Sequence, residues 1–201
     1  MLLNNNGISM RVGNPNYIEI YDNALNKKEC DMLINNFEKS KQYPAPTGGL
    51  GYRPELKKCV QLNNPCFSDN SRVSNIILPI VVRCLNKYRE KYNNLLSNSM
   101  PWKYTDKYSF QKYETEDDGY KVWHTEQAAG EEASHRILVW MIYLNDAKSG
   151  TEFMKYPTIR AKMGRCVIWP AAWTHVHRGV TPNKGLKYII TGWVSLKGVD
   201  Q

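Results

Sequence analysis

The sequence predicts an α+β fold, mainly β, in which a sandwich or barrel carries N-terminal helices packed on its outer face. Three observations predict it. The first half of the chain holds two amphipathic helical stripes. From about Trp102 the texture changes to short aromatic and β-branched segments separated by turn residues. Two of those segments, Arg136 to Leu144 and Leu186 to Leu196, are apolar on both faces, so something must cover the outside, and the helices are the available cover.

Length and composition narrow the class. A chain of 201 residues is long enough to bury a core as one domain, with helical support and a loop over about 17–97 and a β core over about 102–197. No run of eighteen apolar residues occurs, so no membrane span is expected. The opening Met1 to Asn6 lacks the regions of a signal peptide. Cys30, Cys59, Cys66, Cys84 and Cys166 are odd in number and form no C-x-x-C pair, which points to a reducing compartment and a cytoplasmic protein rather than a disulfide framework or zinc finger. The net charge of +8 is dispersed among acids, as in Lys87 to Lys91, and reads as a solvated surface with no nucleic-acid role.

Each element has a local reason. Tyr17 to Tyr21 alternates as a short strand. Asn26 with Glu29 forms a capping-box pattern, and Cys30, Leu33, Ile34 and Phe37 follow as one helical stripe. Tyr43 to Tyr52, with two prolines and three glycines, is a loop. Val73 through Tyr92 makes a long helical stripe, in which Pro79 either kinks the helix or sits in its first turn. Strands are expected at Tyr108 to Tyr113, Tyr120 to Glu126, Arg136 to Leu144, Thr151 to Met154, Cys166 to Trp169, Trp173 to Arg178 and Leu186 to Leu196. Turn residues at Asp117 to Gly119, Asn145 to Gly150, Lys162 to Gly164 and Thr181 to Gly185 separate them.

The chemistry gathers late in the chain. All four histidines, His124, His135, His175 and His177, follow residue 123. In an alternating Tyr120 to Glu126, His124 and Glu126 point to one face, and a histidine from the distant segment would complete two histidines and a carboxylate. With coordination positions left open, that set is the facial triad of non-haem Fe(II) oxygenases. Alternation also puts Trp173, His175 and His177 on one face, which leaves two candidates for the third ligand. Lys187 shares a face with Ile189, Thr191 and Trp193; it either points inward, where a desolvated ammonium demands an anion, or reaches solvent at the strand end.

The order Tyr113, His124-Thr125-Glu126, Tyr143-Leu144-Asn145, Gly150-Thr151-Glu152-Phe153, His177-Arg178 and Lys187 resembles the prolyl-4-hydroxylase-like branch of the 2-oxoglutarate- and Fe(II)-dependent dioxygenases, including versions carried by bacteriophages. The likeness spans roughly Asp106 to Leu196. It implies a double-stranded β-helix (a jelly-roll or cupin-like barrel), with His124, Glu126 and His177 as iron ligands. His177 fits the family's pattern His177-Arg178-Gly179-Val180-Thr181-Pro182, with Lys187 closing it. The resemblance further implies that Lys187 pairs with the distal carboxylate of 2-oxoglutarate, that Tyr143 and Tyr113 contact the cosubstrate, and that Thr191 adds a hydroxyl. One departure is Glu126, where the family usually has Asp; glutamate is a methylene longer and still a hard oxygen ligand. His175 is then expected to lie behind the ligands or line the pocket, and His135 to be surface. The expected activity is hydroxylation of a substrate C–H coupled to conversion of 2-oxoglutarate to succinate, with dioxygen consumed and ascorbate in support. Peptidyl proline is the family-level substrate, the host cytoplasm the location if the protein is phage-encoded. Tyr43 to Tyr52, with Arg53, is the expected lid, and Trp123, Arg160 and Arg165 either line a substrate groove or are core-packing or surface residues, which explains them equally well. A metal-dependent hydrolase, or a non-catalytic binding or structural barrel, would instead give Lys187 and the tyrosines no task.

Overall fold

The computed structural model describes residues 16–93, 101–180 and 185–196, and the backbone of two short pairs nearer the N-terminus. The elements run β1 (Leu2–Leu3), β2 (Ser9–Met10), β3 (Glu19–Tyr21), α1 (Lys27–Lys39), β4 (Gln42–Pro44), β5 (Lys57–Lys58), β6 (Val60–Leu62) and α2 (Arg72–Lys91). After these come β7 (Trp102–Tyr113), β8 (Gly119–Tyr120), α3 (Glu131–Ser134), β9 (Arg136–Tyr143), β10 (Gly150–Phe153), β11 (Ile159–Arg160), β12 (Arg165–Pro170), β13 (His177–Val180) and β14 (Lys187–Leu196). Of the turn read at Thr181 to Gly185, only Gly185 lies inside the described residues.

A seven-stranded antiparallel sheet ordered β3-β12-β9-β14-β7-β6-β4 is the main layer. A three-stranded sheet, β11-β10-β13, forms beside it. The double-faced apolar strands explain themselves here. On β9, Leu138, Trp140 and Ile142 join the core that Leu33, Phe37, Ile77 and Leu85 of α1 and α2 build, while Val139 and Tyr143 join a second core with Phe153, Val167, Trp169 and Ile189. On β14, Tyr188, Ile190 and Val194 face the helices and Lys187, Ile189 and Thr191 face the other way. Each fully buried side chain of this size contributes about 1.5–3 kcal/mol, so the helical cover is a large stabilising term.

Local signals placed the helices well. Asn26 Oδ1 accepts from the Glu29 N–H at 3.0 Å and Glu29 Oε2 accepts from the Asn26 N–H at 2.8 Å, the reciprocal pair a capping box needs. Ser71 caps α2 at the Ser74 N–H. Pro79 lies inside α2, not in its first turn, so the Asn75 carbonyl lacks its usual donor four residues on.

Two expected strands are not regular strands. Tyr120 to Glu126 contributes only Tyr120 to β8 and a single bridge at His124. Trp173 to Arg178 begins as a 3-10 turn, Trp173–His175, and becomes strand only at His177. In both, period-two alternation misread segments whose backbone bonds go to several partners. The Glu126 and Gln127 N–H groups, for instance, both reach the Ala171 carbonyl.

Gly164 ties the helical layer to the sheet. Its carbonyl accepts from Ala24 and Leu25 N–H at 2.8 and 3.2 Å and its own N–H donates to the Tyr143 carbonyl at 2.9 Å. Its φ is +73°, and a Cβ there would collide with the Leu25 carbonyl. Gly164→Ala is expected to cost about 2–4 kcal/mol from left-handed strain plus overpacking. A drop of roughly 5–15 °C in melting temperature checks this by calorimetry.

Candidate active site

A cavity of about 630 Å³ opens on the inner face of the large sheet, against β8, β13 and the loop after β4. His124, Glu126 and His177 meet on its wall, each offering a ligand atom within 4.8 Å of the others. The register responsible is a reciprocal bridge. His124 N–H donates to the His177 carbonyl at 2.9 Å and His177 N–H to the His124 carbonyl at 3.0 Å. Glu126 is then placed by its N–H on Ala171 at 3.2 Å.

The tautomers follow from the partners. His124 Nδ1 lies 2.9 Å from the Val122 carbonyl and His177 Nδ1 lies 2.9 Å from the His175 carbonyl. A carbonyl only accepts, so each Nδ1 carries hydrogen and each Nε2 is turned toward Glu126 Oε1, at 3.7 and 3.5 Å. The other carboxylate oxygen is held: Trp193 Nε1–H donates to Glu126 Oε2 at 2.9 Å, and Arg136 Nη1 stands 3.8 Å away with its guanidinium 3.7 Å over the Trp193 ring. Burial alone would raise the Glu126 pKa; hydrogen bonds and charge from His124 and His177 outweigh it and hold the carboxyl well below its usual range. Two imidazole lone pairs and a carboxylate oxygen converging on one point require a proton or a cation between them. Two nitrogens and one hard oxygen, with open volume alongside, is a donor set that fits Fe(II).

Lys187 lies on the same cavity, 2% exposed, its ammonium 3.1 Å from the Val180 carbonyl and 4.3 Å over the Tyr113 ring. Among the described residues no carboxylate pairs with it. Burial pushes its pKa down to about 8, with a small opposing contribution from Cys59. Tyr143 and Tyr113 stand nearby as neutral phenols, Tyr143 pushed up to about 12 and Tyr113 well above its usual value, in both cases first by burial. The Tyr143 hydroxyl shares a 2.6 Å hydrogen bond with Thr151 Oγ1, and Tyr113 donates to Gln111 Oε1 at 2.8 Å. Thr191 also lines the cavity, with its hydroxyl donated to the Trp140 carbonyl at 2.9 Å.

Other expected positions fall elsewhere. His175 is buried away from the cavity: Nε2–H donates to the Asn16 carbonyl at 2.7 Å and the ring stacks on Tyr156. Only its carbonyl serves the site, as the acceptor that fixes His177. His135 is exposed. Arg160 and Arg165 border a separate recess of about 350 Å³, where Arg165 also pairs with Asp22 at 2.7 Å. Trp123 lies outside the main cavity beneath Arg178, whose guanidinium is 4.5 Å from its ring centroid. None of these three lines the main cavity; Arg165 is held instead by its ion pair with Asp22. Pro46 and Gly48 of the Gly- and Pro-rich loop do line it. Sequence reading assigned no task to Gln111, Thr151, Arg136 or Lys57. Gln111 and Thr151 carried a signal, being two residues from Tyr113 and inside Gly150 to Phe153; Lys57 carried none.

A mainly β fold thus brings a histidine–carboxylate–histidine cluster that could hold a metal ion and a buried lysine onto one cavity. Residues 108–195 match the model of the 2OG-Fe(II) oxygenase superfamily. Over that segment the chain carries a domain similar to the 2-oxoglutarate- and Fe(II)-dependent oxygenases, with prolyl hydroxylases among the structures of like fold. A search of curated proteins gave no match. Among solved structures, it is similar to a viral collagen prolyl hydroxylase from Paramecium Bursaria Chlorella virus-1 in complex with 2OG, at 17% identity and TM-score 0.62, over 92% of this chain and 99% of that one. A Trichoplax adhaerens prolyl hydroxylase in complex with a hypoxia inducible factor oxygen degradation domain peptide fragment gives 17% and 0.70, over 90% and 84%. A Pseudomonas putida prolyl-4-hydroxylase gives 13% and 0.67, over 90% and 94%. At these identities the likeness is one of fold. Neither a metal hydrolase nor a non-catalytic barrel finds support in these matches.

Proposed function

We propose that this protein hydroxylates a prolyl-containing peptide, with His124, Glu126 and His177 holding Fe(II) and Lys187, Tyr143, Tyr113 and Thr191 holding 2-oxoglutarate. The fold is then one double-stranded β-helix unit, with α1 and α2 as its helical support. The single observation that carries this is the convergence of the His124–Glu126–His177 cluster and a buried, carboxylate-free Lys187 on one cavity. Prolyl hydroxylases of like fold, one of them bound to a peptide, support the substrate class.

Bound there, Fe(II) would supply the redox chemistry that couples dioxygen and 2-oxoglutarate decarboxylation to oxidation of a substrate C–H. The chain does the rest. His124 and His177 present Nε2 because backbone carbonyls fix the opposite ring nitrogen. Trp193 fixes the rotation of the Glu126 carboxylate, so its extra methylene does not become extra freedom. Lys187 attracts the distal carboxylate of the cosubstrate, and Tyr143, kept a phenol at neutral pH, donates to it. The loop over 43–52, which reaches the cavity at Pro46 and Gly48, closes over the bound pair and excludes water.

Anaerobic titration of the Fe(II)-loaded protein with 2-oxoglutarate tests this. A weak visible charge-transfer band is expected; iron binding without such a band would remove the cosubstrate site. The apparent affinity has a predictable pH dependence. The free protein's Lys187 loses its proton near pH 8, and a bound carboxylate raises that value. Affinity is therefore flat below about pH 8 and falls by up to about tenfold per pH unit above it. A profile level to pH 10 would mean that Lys187 does not hold the cosubstrate.

A further inference from the structure

We infer that the substrate carries an anionic group, and that Lys57 binds it. On β5, alternation sends two consecutive lysines to opposite sides. Lys58 faces outward and pairs with Asp117 at 2.9 Å and Asp118 at 3.7 Å. Lys57 faces inward, 7% exposed, and lines the same cavity as the histidines. Its ammonium has one long hydrogen bond, 3.3 Å to the Pro46 carbonyl, and no carboxylate within 4.0 Å among the described residues. It stands 5.6 Å from the centroid of the Tyr120 ring, which is itself stacked 3.5 Å from the His124 ring.

A nearly buried ammonium with a single carbonyl partner is an anion site awaiting its anion. This step rests on the proposed oxygenase reading: 2-oxoglutarate has two carboxylates, one directed to Lys187 and one to the metal centre, so neither remains for Lys57. Of the other charges on the wall, Glu126 is matched to the histidines and Glu132 to Arg136 at 3.3 Å, while Lys107 and Glu131 are exposed, where water solvates them. The anion left to satisfy Lys57 is the substrate's. Because Lys57 hangs from the Pro46 carbonyl of the expected lid, binding would also couple the acid to loop position. An acidic peptide is the class that fits a prolyl-hydroxylase-like cavity with this extra cation.

The probes are two blocked tripeptides, Ac-Glu-Pro-Gly-NH2 and Ac-Gln-Pro-Gly-NH2, added to the Mn(II)- and 2-oxoglutarate-loaded full chain while water-proton relaxation is followed. The glutamate peptide should bind at least tenfold more tightly. Lys57→Met should erase the preference and Lys57→Arg keep it, with 2-oxoglutarate affinity in both variants within about twofold of the parent. Equal or absent binding of the two peptides by the parent, or a preference that survives Lys57→Met, overturns the inference while leaving the oxygenase reading intact. A large loss of 2-oxoglutarate affinity in Lys57→Met would also overturn it, by making Lys57 a second cosubstrate residue. Failure of the parent to bind 2-oxoglutarate at all would remove both readings.

Discussion

His177→Ala abolishes the 2-oxoglutarate charge-transfer band and lowers Fe(II) affinity by more than about 100-fold, whereas His175→Ala leaves the band in place. Removing even an outer partner of a ligating histidine costs about 10–100-fold in metal affinity, so loss of the ligand itself must exceed that. The contrast between two histidines two residues apart comes from the turn at Trp173–His175, which breaks the alternation and directs the His175 ring to Asn16 and Tyr156. His175→Ala leaves its backbone carbonyl on His177 Nδ1 and is expected to lower stability by about 1–3 kcal/mol through the unpaired Asn16 carbonyl and lost stacking. His177→Ala also removes an aromatic neighbour of Phe153 and Trp169, so circular dichroism of the apo variant must accompany the metal titration. Isothermal titration with Mn(II) gives the affinity independently of turnover. A band retained in His177→Ala and lost in His175→Ala would reverse the assignment.

The helices and the long strands β9 and β14 were legible because their side chains repeat with the period of the element and each face has one neighbour for its whole length. The same alternation put Lys187 on a face with Ile189 and Thr191 but left open whether it pointed inward or reached solvent; only the family resemblance implied the inward role. The two segments that supply the histidines and Glu126 were legible in composition but not in backbone. There, scattered hydrogen bonds to His177, Ala171 and Leu56 replace a ladder, and no local period encodes three unrelated partners. Lys57 was illegible for a third reason. Its role depends on β5 pairing with β8 more than sixty residues away, and a Lys-Lys dipeptide does not say which lysine is inside. Arg165 shows the converse: a cation in the β core can be claimed by a distant acid, here Asp22.

Lys187→Met should weaken 2-oxoglutarate binding and strengthen the fold. The two effects have one cause. In the free protein the ammonium is 2% exposed with a backbone carbonyl and an aromatic face as its partners, and its pKa falls from 10.5 to about 8. That depression corresponds to roughly 3 kcal/mol of penalty on the charged form. For a cation with a lowered folded pKa the native state binds fewer protons than the unfolded chain between the two values, so stability rises with pH from about 8 to about 10.5. Below pH 8 the full penalty applies. Methionine matches the stem without the charge, so the variant is expected to be more stable near neutral pH by an amount of that order, and to lose the rise above pH 8. Denaturant melts at pH 7 and pH 10 measure both. Binding moves the opposite way. Truncating one partner of a buried charge pair costs about 2–5 kcal/mol, or roughly 30-fold to several thousand-fold in Kd for 2-oxoglutarate. A lysine kept for packing would lose stability when replaced and leave cosubstrate affinity unchanged. A lysine kept for an anion shows the reverse, and the sign of the stability change separates the two before any substrate is known.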